Sequence, residues 1–495
     1  MIDTTRANTF GGAGAVQMSS RLLSVAAPLA LLVLGTCSAW LYFWGRDLHR
    51  FTQWIAAYIY LFIGQLSFYA VACLIVIRWS NNAARIAKWT TIGLIIFFGG
   101  LFRAVLIPQR PYLSADVYRY VWDGHVQLSG INPYRYVPGD PELARLRDEA
   151  IFPNITSEDQ RWFSAYPPVS QAIFWLVSFV RPMSVTAFKA AMSSFDLITL
   201  LLIMVTLARS GIDPARAIIF AWHPLVIFEG AHSGHIEAVF MAFLMLALLA
   251  WSGERYVVTG IALALATLVK FYPALLLPAF LIVKPDDSGA GPASSNKSMV
   301  VRLIHKKNLG MVAAFVITVL TSYAPYASAR SNVFGFLRGY IQEEGFVQTG
   351  ARYFLLDAFR LLAPLPTAVF LIFGAACLIG VIIWRLTRVK RTAEAVASGA
   401  IVVIGTFLLL TTPRYAWYYA WLVPFLCFAP RLGWLYLSCA SVLLYLVWYT
   451  PFIYPEVPLW VGASIYIPTL AWLAWERFAS ARTGRYADDP STDLT

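Results

Sequence analysis

The chain has 495 residues, of which 59% are hydrophobic and 13% are charged, and its mean hydropathy is +0.64. This composition excludes a water-soluble domain of that size and indicates a helical protein that crosses a membrane many times. The net charge of +12 does not indicate a nucleic-acid partner, because the positive residues lie in short loops between apolar stretches, where they set orientation in a bilayer.

Apolar stretches follow one another along almost the whole chain, and their lengths of about 17–25 residues suit helices that cross a bilayer. We predict an all-α, polytopic bundle of about 13 or 14 spans. The count depends on 256–283, where Pro273 follows Lys270 and breaks the helical hydrogen-bond ladder. The predicted spans are approximately 22–44, 54–77, 89–107, 186–208, 214–230, 236–251, 256–283, 309–327, 362–386, 394–412, 414–430, 433–450 and 457–475.

Two stretches between the spans differ from short connecting loops. The loop 109–165 is long and polar, and the segment 166–181 after it holds roughly 13 apolar residues between prolines. Such a segment is too short to cross a membrane and predicts a re-entrant or interfacial helix. The stretch 284–308 is rich in Gly, Pro, Ser and Lys and predicts a flexible linker.

The linker divides the chain into two predicted membrane halves. The first, 1–283, contains the loop 109–165, and the second, 309–477, is followed by a tail at 478–495. We find no internal repeat that relates the two halves.

Five basic clusters predict the orientation, because cytoplasmic loops are enriched in Lys and Arg. All five lie on one side if 166–181 does not cross fully and 256–283 enters and leaves as a hairpin. We therefore predict a protein of the cytoplasmic (inner) membrane, with both termini and the linker inside and the loops 109–165 and 328–361 outside. The clusters are Arg78, Arg85 and Lys88; Arg209 and Arg216; Lys284, Lys297, Arg302, Lys306 and Lys307; Arg385, Arg388, Lys390 and Arg391; and Arg477, Arg482 and Arg485.

The long polar loop carries the first candidate site. Asp116, Tyr120 and Asp123 follow at helical spacing and share one face, and Arg119 lies one turn from either aspartate. A carboxylate at a membrane surface can accept a proton from a hydroxyl group or orient it for attack. A solvated helix with ion pairs along its surface is the alternative.

Turn-forming and aromatic residues follow in the same loop. Gly124 and Asn132-Pro133 predict turns, and Tyr134 can stack on the face of a sugar ring. An ordinary interfacial aromatic belt is the alternative for any single tyrosine.

A second polar stretch holds His232, His235 and Glu237 at the mouth of two predicted spans. The two histidines share a helix face and Glu237 points elsewhere, so a patch that binds substrate hydroxyls or a lipid phosphate is favoured over a metal site. Glu229 and Glu237 are costly at membrane depth, which favours a functional role for both.

Three cations occupy positions that call for an anion. Lys270 lies deep in an apolar run, and a buried lysine requires an anionic partner. Arg352 and Arg414 lie on the predicted outer side, against the positive-inside trend, which suggests a fixed ligand such as a lipid phosphate. Snorkelling of Lys270 and plain interfacial anchoring of the arginines are the alternatives.

Several common signatures are missing from the sequence. It has no Walker loop, no dinucleotide-binding glycine fingerprint and no Gly-x-Ser-x-Gly elbow. No stretch can build the soluble α/β domain that a nucleotide-sugar enzyme needs. We expect no cofactor and assign no metal ligands, with a divalent metal ion as the open alternative. An ion shared by Asp116 and Asp123 would require a break in the helix between them.

Motifs of the first half resemble those of bacterial members of the glycosyltransferase C superfamily, the multi-spanning mannosyltransferases that use polyprenyl-phosphate sugars. They are Asp116-Val-Tyr-Arg-Tyr-Val-Trp-Asp-Gly124, Gly130-Ile-Asn-Pro-Tyr134 and Tyr166-Pro-Pro-Val-Ser-Gln171. Later stretches also look like theirs: His223-Pro-Leu-Val, Gly234-His-Ile-Glu237, Lys270-Phe-Tyr-Pro273 and Trp417-Tyr-Tyr-Ala-Trp-Leu-Val-Pro424. The resemblance covers about residues 90–430.

The resemblance implies a fold of many helices in which an essential aspartate of the first large outer loop, here Asp116, acts on the acceptor. The reaction would move a sugar, mannose in the first place, from a polyprenyl-phosphate donor to a hydroxyl of a glycan or lipid acceptor. Asp123 and Arg119 would shape the site, and Lys270, Arg352 and Arg414 would hold the lipid phosphate. The residues expected to contact substrate are Tyr120, Tyr134, Tyr166, His232, His235 and Glu237. A flippase for lipid-linked glycans and an enzyme with a pentosyl donor are the alternatives.

Overall fold

The structure, a computed structural model, is helical wherever it has regular secondary structure among the residues it describes. Together with the apolar spanning helices, this confirms the prediction of an all-α polytopic membrane protein. Most of the predicted linker and most of the tail lie outside the described residues. The described residues are 11–46, 48, 54–79, 85–281, 306–337, 353–388, 392–449 and 457–482.

The first half contains eleven α-helices and several shorter helical segments among its described residues. The α-helices are α1 (Gly11–Gly45), α2 (Trp54–Trp79), α3 (Arg85–Leu106), α4 (Asp116–Leu128), α5 (Pro168–Val180), α6 (Val185–Arg209), α7 (Ile218–Ala221), α8 (Pro224–Ile227), α9 (Glu237–Ser252), α10 (Tyr256–Thr267) and α11 (Leu277–Phe280). A π-helical turn, Phe228–Ser233, follows α8, and the 3₁₀ segments are Pro141–Leu146, Phe152–Asn154, Asp159–Arg161, Pro214–Ala217 and Tyr272–Leu276.

The described part of the second half is built in the same way. Its α-helices are α12 (Lys306–Ser322), α13 (Phe354–Arg360), α14 (Thr367–Arg388), α15 (Ala393–Thr411), α16 (Val423–Leu426), α17 (Leu432–Ala440) and α18 (Leu459–Arg482). The 3₁₀ segments are Ala324–Phe334, Ala416–Leu422 and Ser441–Tyr449.

Six helices of the described chain are long and apolar enough to cross a bilayer on their own. They are Ala26–Gly45, Ile55–Arg78, Arg85–Leu106, Val185–Arg209, Thr367–Arg385 and Ala393–Thr411. A seventh candidate is the pair formed by α12 and the following 3₁₀ segment, which is bent by 84°. Among the described residues, six or seven helices are therefore long enough to span a bilayer, fewer than the 13 or 14 spans predicted, while the predicted fold class is confirmed. Part of the shortfall has a physical cause: Pro224 and Pro424 lie in the first turn of new short helices inside runs that read as continuous from hydropathy.

Two of the expected irregular segments are confirmed. Helix α5 has 13 residues, so it is about 20 Å long and cannot span a bilayer by itself. Helix α10 ends at Thr267, and the chain then bends through Lys270 into the 3₁₀ segment that contains Pro273. Helix α5 packs against α4, and α10 packs against α9. Both segments help to enclose the polar residues of the candidate site.

The spanning helices present apolar side chains outward, as a surface in contact with lipid requires. Trp40 of α1 is 65% exposed and Ile372 of α14 is 71% exposed. Leu263, Phe240 and Met245 are, by contrast, fully buried among the inner helices. Apolar side chains therefore both fill the interior and cover the outer surface of the spanning helices.

A buried ion pair connects the inner helices below the polar loop. Arg103 Nε of α3 lies 3.1 Å from Asp196 Oδ2 of α6, and its Nη1 donates to the carbonyl oxygens of Gly99 and Ala221 at 2.9 and 3.0 Å. Both charged side chains are almost completely buried. The pair fixes the position of α6 and α7 relative to α3, and these helices support the loop that carries the candidate site.

Candidate active site

Helix α4 begins at Asp116, directly after a polar turn. Ser114 Oγ accepts the backbone N–H of Asp116 at 3.2 Å, and Asp116 stands in the first turn, where the helix dipole favours a negative charge. The helix continues unbroken to Leu128, so Asp116 and Asp123 are about 10 Å apart along its axis. The break that a shared divalent ion would require is not present.

Gly124 lies inside α4, and the prediction of a turn at this residue was wrong. A Cβ atom there would lie 2.2 Å from Ser178 Oγ and 2.4 Å from the carbonyl oxygen of Phe174. Helices α4 and α5 therefore approach so closely that only glycine fits at their crossing. The predicted turn at Asn132-Pro133 is confirmed, since the Asn132 carbonyl accepts the N–H of Arg135 at 3.0 Å.

Asp116 is far more accessible than the neighbouring Glu229. Its side chain is 30% exposed, whereas that of Glu229 is 2% exposed. The hydroxyl groups of Tyr120 and Tyr166 lie 3.5 and 3.4 Å from Asp116 Oδ2, and His235 Nε2 lies 3.9 Å from the same atom. A molecule that approaches this cluster therefore reaches the Asp116 carboxylate first.

Asp123 and Arg119 are buried and bonded to each other. Arg119 Nε lies 2.8 Å from Asp123 Oδ1, while Ser164 Oγ and Gln171 Nε2 donate to Asp123 Oδ2 at 2.6 and 3.0 Å. Arg119 also donates to the carbonyl oxygen of Asp159 at 2.7 Å. This network ties α4 to the end of the loop and to α5, and it holds Asp116 on the exposed side of the helix.

The three predicted tyrosines lie on the same side of α4 but differ in accessibility. Tyr120 is fully buried and stacks on Phe174, with ring centroids 4.7 Å apart. Tyr134 is 1% exposed and its hydroxyl donates to the Tyr166 carbonyl oxygen at 2.6 Å. The ring of Tyr166 is only partly buried and packs edge-on against Tyr120 at 4.9 Å.

The two histidines have different neighbours, because the π-helical turn ends at Gly234, whose φ is +74°. His232 packs against Tyr112, with ring centroids 4.2 Å apart. His235 Nδ1 lies 2.8 Å from Glu229 Oε2, and its Nε2 lies 2.9 Å from Ser114 Oγ. The left-handed conformation of Gly234 thus separates the side chains of His232 and His235, which were expected to share one helix face.

Lys270 has an anionic partner, as its position in an apolar run required. It forms an ion pair with Glu237 at the start of α9, and the Tyr272 hydroxyl lies 3.5 Å from the same carboxylate. The side chain of Lys270 is 13% exposed and that of Glu237 is 2% exposed. Glu237 therefore orients the lysine ammonium group from the buried side.

A row of aromatic rings (Tyr415, Trp417 and Tyr418) connects the separate parts of the cluster. Trp417 stacks on Tyr415 at 4.5 Å and lies 4.2 Å from the His235 ring. The Lys270 ammonium lies 5.1 Å from the Tyr418 ring centroid. Arg414 extends the row, with its guanidinium carbon 5.4 Å from the Tyr415 ring.

The structure therefore brings Asp116, His235, Glu237, Lys270 and Arg414 into one cluster along the aromatic row. The remaining predicted cation, Arg352, lies outside the described residues. Among the described residues, no group of three or more His, Cys, Asp or Glu side chains is arranged to hold a metal ion.

Burial and neighbouring charges shift the pKa values of Tyr120, Tyr166 and His235, which all lie outside the six spanning helices. Burial raises the pKa of the Tyr120 and Tyr166 hydroxyls well above the usual value, so both remain hydrogen-bond donors at neutral pH. Burial alone would lower the pKa of His235, but its bond to Glu229 and the nearby carboxylates of Asp116 and Glu237 outweigh this effect and raise it.

Sequence reasoning missed the parts of the cluster that come from distant segments. Tyr445 donates to Glu229 Oε1 although the two residues are 216 positions apart. Ser114, Ser164 and Gln171 are ordinary polar residues with no spacing signal of their own. Gln171 belongs to the Tyr-Pro-Pro-Val-Ser-Gln motif, which is the one clue that could have pointed to it.

These features define a class of protein: a multi-spanning, all-α membrane protein with an accessible carboxylate at the start of a loop helix, connected through His235 and a row of aromatic rings to a partly exposed lysine. A family model described as alpha-(1→6)-mannopyranosyltransferase, N-terminal domain, matches residues 21–284. A second model, glycosyltransferase family 87, matches residues 163–413. Each match spans more than half of the chain, so the protein belongs to these families and is a glycosyltransferase. A search of curated proteins and a search of solved structures found no match.

Proposed function

We propose that the enzyme transfers mannose from a polyprenyl-phosphate donor to a hydroxyl group of a glycan or lipid acceptor. The observation that carries the proposal is the accessible Asp116 carboxylate, joined to a partly exposed lysine by one row of aromatic rings. Mannose is supported by the family model that covers the first half of the chain. A lipid-linked donor is supported by the absence, in the sequence, of any stretch that can build a nucleotide-sugar domain.

The reaction is a single displacement. As the bond between the sugar C1 atom and the phosphate oxygen breaks, the acceptor oxygen bonds to C1 and its proton passes to Asp116. The departing lipid phosphate gains negative charge, which Lys270 and Arg414 stabilise. Arg352 keeps the same predicted role. Because Lys270 is already paired with Glu237, the donor phosphate shares the ammonium group with that carboxylate.

The other residues of the cluster support this centre. Tyr166, beside Asp116 and only partly buried, is placed to contact the sugar. The Asp123–Arg119 network shapes the site by fixing α4 on the rest of the loop. The remaining residues predicted to contact substrate are almost completely buried and line the site from behind: Tyr120, Tyr134, His232, His235 and Glu237.

The proposed location is the cytoplasmic (inner) membrane, with both termini in the cytoplasm and the site facing outward. It is supported by the five basic clusters on the opposite side of the predicted topology. The polyprenyl tail of the donor would then remain in the bilayer while the sugar reaches Asp116 at its surface.

The donor is tested by incubating washed membranes that contain the enzyme with radiolabelled polyprenyl-phosphate mannose, polyprenyl-phosphate arabinose or GDP-mannose. Membranes without the enzyme serve as the control. We expect label to pass to endogenous acceptors from polyprenyl-phosphate mannose only. Transfer from the arabinose donor alone would make the enzyme a pentosyltransferase, and transfer from GDP-mannose alone would refute the lipid-linked donor.

A further inference from the structure

A chain of polar contacts, hydrogen bonds and one ion pair, runs from the second half of the protein to the first turn of α4. Tyr445 donates to Glu229 Oε1, and Glu229 Oε2 lies 2.8 Å from His235 Nδ1. His235 Nε2 lies 2.9 Å from Ser114 Oγ, which accepts the backbone N–H of Asp116 at 3.2 Å. The chain therefore ends at the residue that we place at the centre of the reaction.

Three of the four members of this chain cannot reach a substrate directly. Tyr445, Glu229 and His235 are 3%, 2% and 0% exposed, and the Trp417 ring covers His235 at 4.2 Å. Buried polar groups are costly unless a partner compensates for the lost water. Three buried polar side chains in contact with one another, ending at Ser114 beside Asp116, indicate that their geometry serves the carboxylate.

The contacts along the chain are of two kinds. The Glu229 carboxylate accepts a hydrogen bond from the Tyr445 hydroxyl and forms an ion pair with the His235 imidazolium through Nδ1. As a cation, His235 also donates from Nε2 to Ser114 Oγ and faces Asp116 Oδ2 at 3.9 Å. The imidazolium thus lies between two carboxylates, one buried and one accessible.

We infer that His235 is a positioning residue: held by Glu229 and Tyr445, it fixes Ser114 and so aims the Asp116 carboxylate at the acceptor hydroxyl. This inference rests on the proposed role of Asp116 in sugar transfer. Its consequence is that removing His235 or the Tyr445 hydroxyl lowers kcat while the affinity for donor and acceptor stays the same, because neither buried side chain touches a substrate.

The test compares purified wild type with His235→Gln and Tyr445→Phe in the transfer assay, with kcat and KM determined for each. We expect kcat to fall about 10- to 100-fold, as for a displacement of about 1 Å at a reacting group, with KM changed less than about threefold. His223→Gln is the matched control. His223 is also fully buried and its Nε2 lies 3.1 Å from a serine hydroxyl, that of Ser438 in α17. We expect the control to keep the wild-type kcat.

The outcomes separate this inference from the proposed function. Wild-type kcat in folded His235→Gln and Tyr445→Phe would overturn the inference, and a raised KM with unchanged kcat would overturn it too, because His235 would then bind substrate. If His235→Gln fails to fold, Tyr445→Phe decides, since it removes only a hydroxyl group. If the wild type transfers no sugar from any donor, the proposed function fails and the inference falls with it.

Discussion

At the scale of single residues, two aspartates of one motif have different tasks because their surroundings differ. Asp123 is enclosed by Arg119, Ser164 and Gln171, which occupy both of its carboxylate oxygens. Asp116, two turns earlier, keeps 30% of its side chain exposed. A carboxylate whose oxygens are both bonded inside the protein is poorly placed to take a proton from a substrate, so we propose the accessible one, Asp116, as the base.

The charge of His235 makes activity depend on pH. Glu229 raises the pKa of His235, so the imidazolium form persists to higher pH than for a free histidine. As the pH rises through that raised value, His235 loses its proton and its donor bond to Ser114. We therefore expect kcat to fall on the alkaline side of the profile. In Glu229→Gln this fall should move to lower pH, because a main cause of the raised pKa is gone.

The check is kcat against pH for the wild type and Glu229→Gln in the transfer assay. Glu149→Gln, which changes an exposed glutamate of the same loop, should keep the wild-type profile. Identical alkaline limbs in the wild type and Glu229→Gln would contradict the assignment.

At the scale of elements, the close crossing of α4 and α5 depends on Gly124. Gly124→Ala places a methyl group where only 2.2–2.4 Å is available to Ser178 and Phe174, so the helices must separate. We expect kcat to fall at least about tenfold and the melting temperature to drop. Gly100→Ala is the control, since no atom lies within 4 Å of its Cβ position and alanine favours a helix. Equal activity of both variants would show that the crossing does not position the site.

The Arg103–Asp196 ion pair joins α3 to α6, and Arg103 also bonds to α7. Asp196→Ala leaves a buried guanidinium without its carboxylate, which costs about 3–5 kcal/mol in the free energy of unfolding. Lys88→Ala is the control, because it breaks a pair with Asp213 that is half-exposed and 4.0 Å long, where the cost is about 1 kcal/mol or less. Unfolding in detergent measures both, and a similar small loss for the two variants would contradict the structural role of Arg103.

At the scale of the whole molecule, the sequence predicted the fold class and the polar loop, because apolar length and charge placement are local signals. The break at α8 coincides with Pro224 and is visible in the sequence, but the π-helical turn that follows contains no proline and could not be predicted. Nor could the sequence join Tyr445 to Glu229, which are 216 residues apart and carry no common pattern. Most of the candidate residues were found by their spacing or their position in the chain, and the resemblance added Tyr166, whereas their division into accessible and buried groups required the structure.

The proposed orientation is tested by cysteine labelling in intact cells, in a background where the five native cysteines are replaced. A membrane-impermeant maleimide should label Glu149→Cys, an exposed position in the loop 109–165, but not Arg209→Cys at the end of α6. Both should be labelled once the cells are opened. The reverse pattern in intact cells would place the active site in the cytoplasm.

The proposed role of Asp116 as the base is tested most simply by the kcat of Asp116→Asn for transfer from polyprenyl-phosphate mannose. Asparagine keeps the shape of the side chain but cannot accept a proton, so we expect kcat to fall about 10²- to 10⁴-fold with little change in KM or melting temperature. A kcat within about twofold of the wild type would show that Asp116 is not the base and that the catalytic group lies elsewhere.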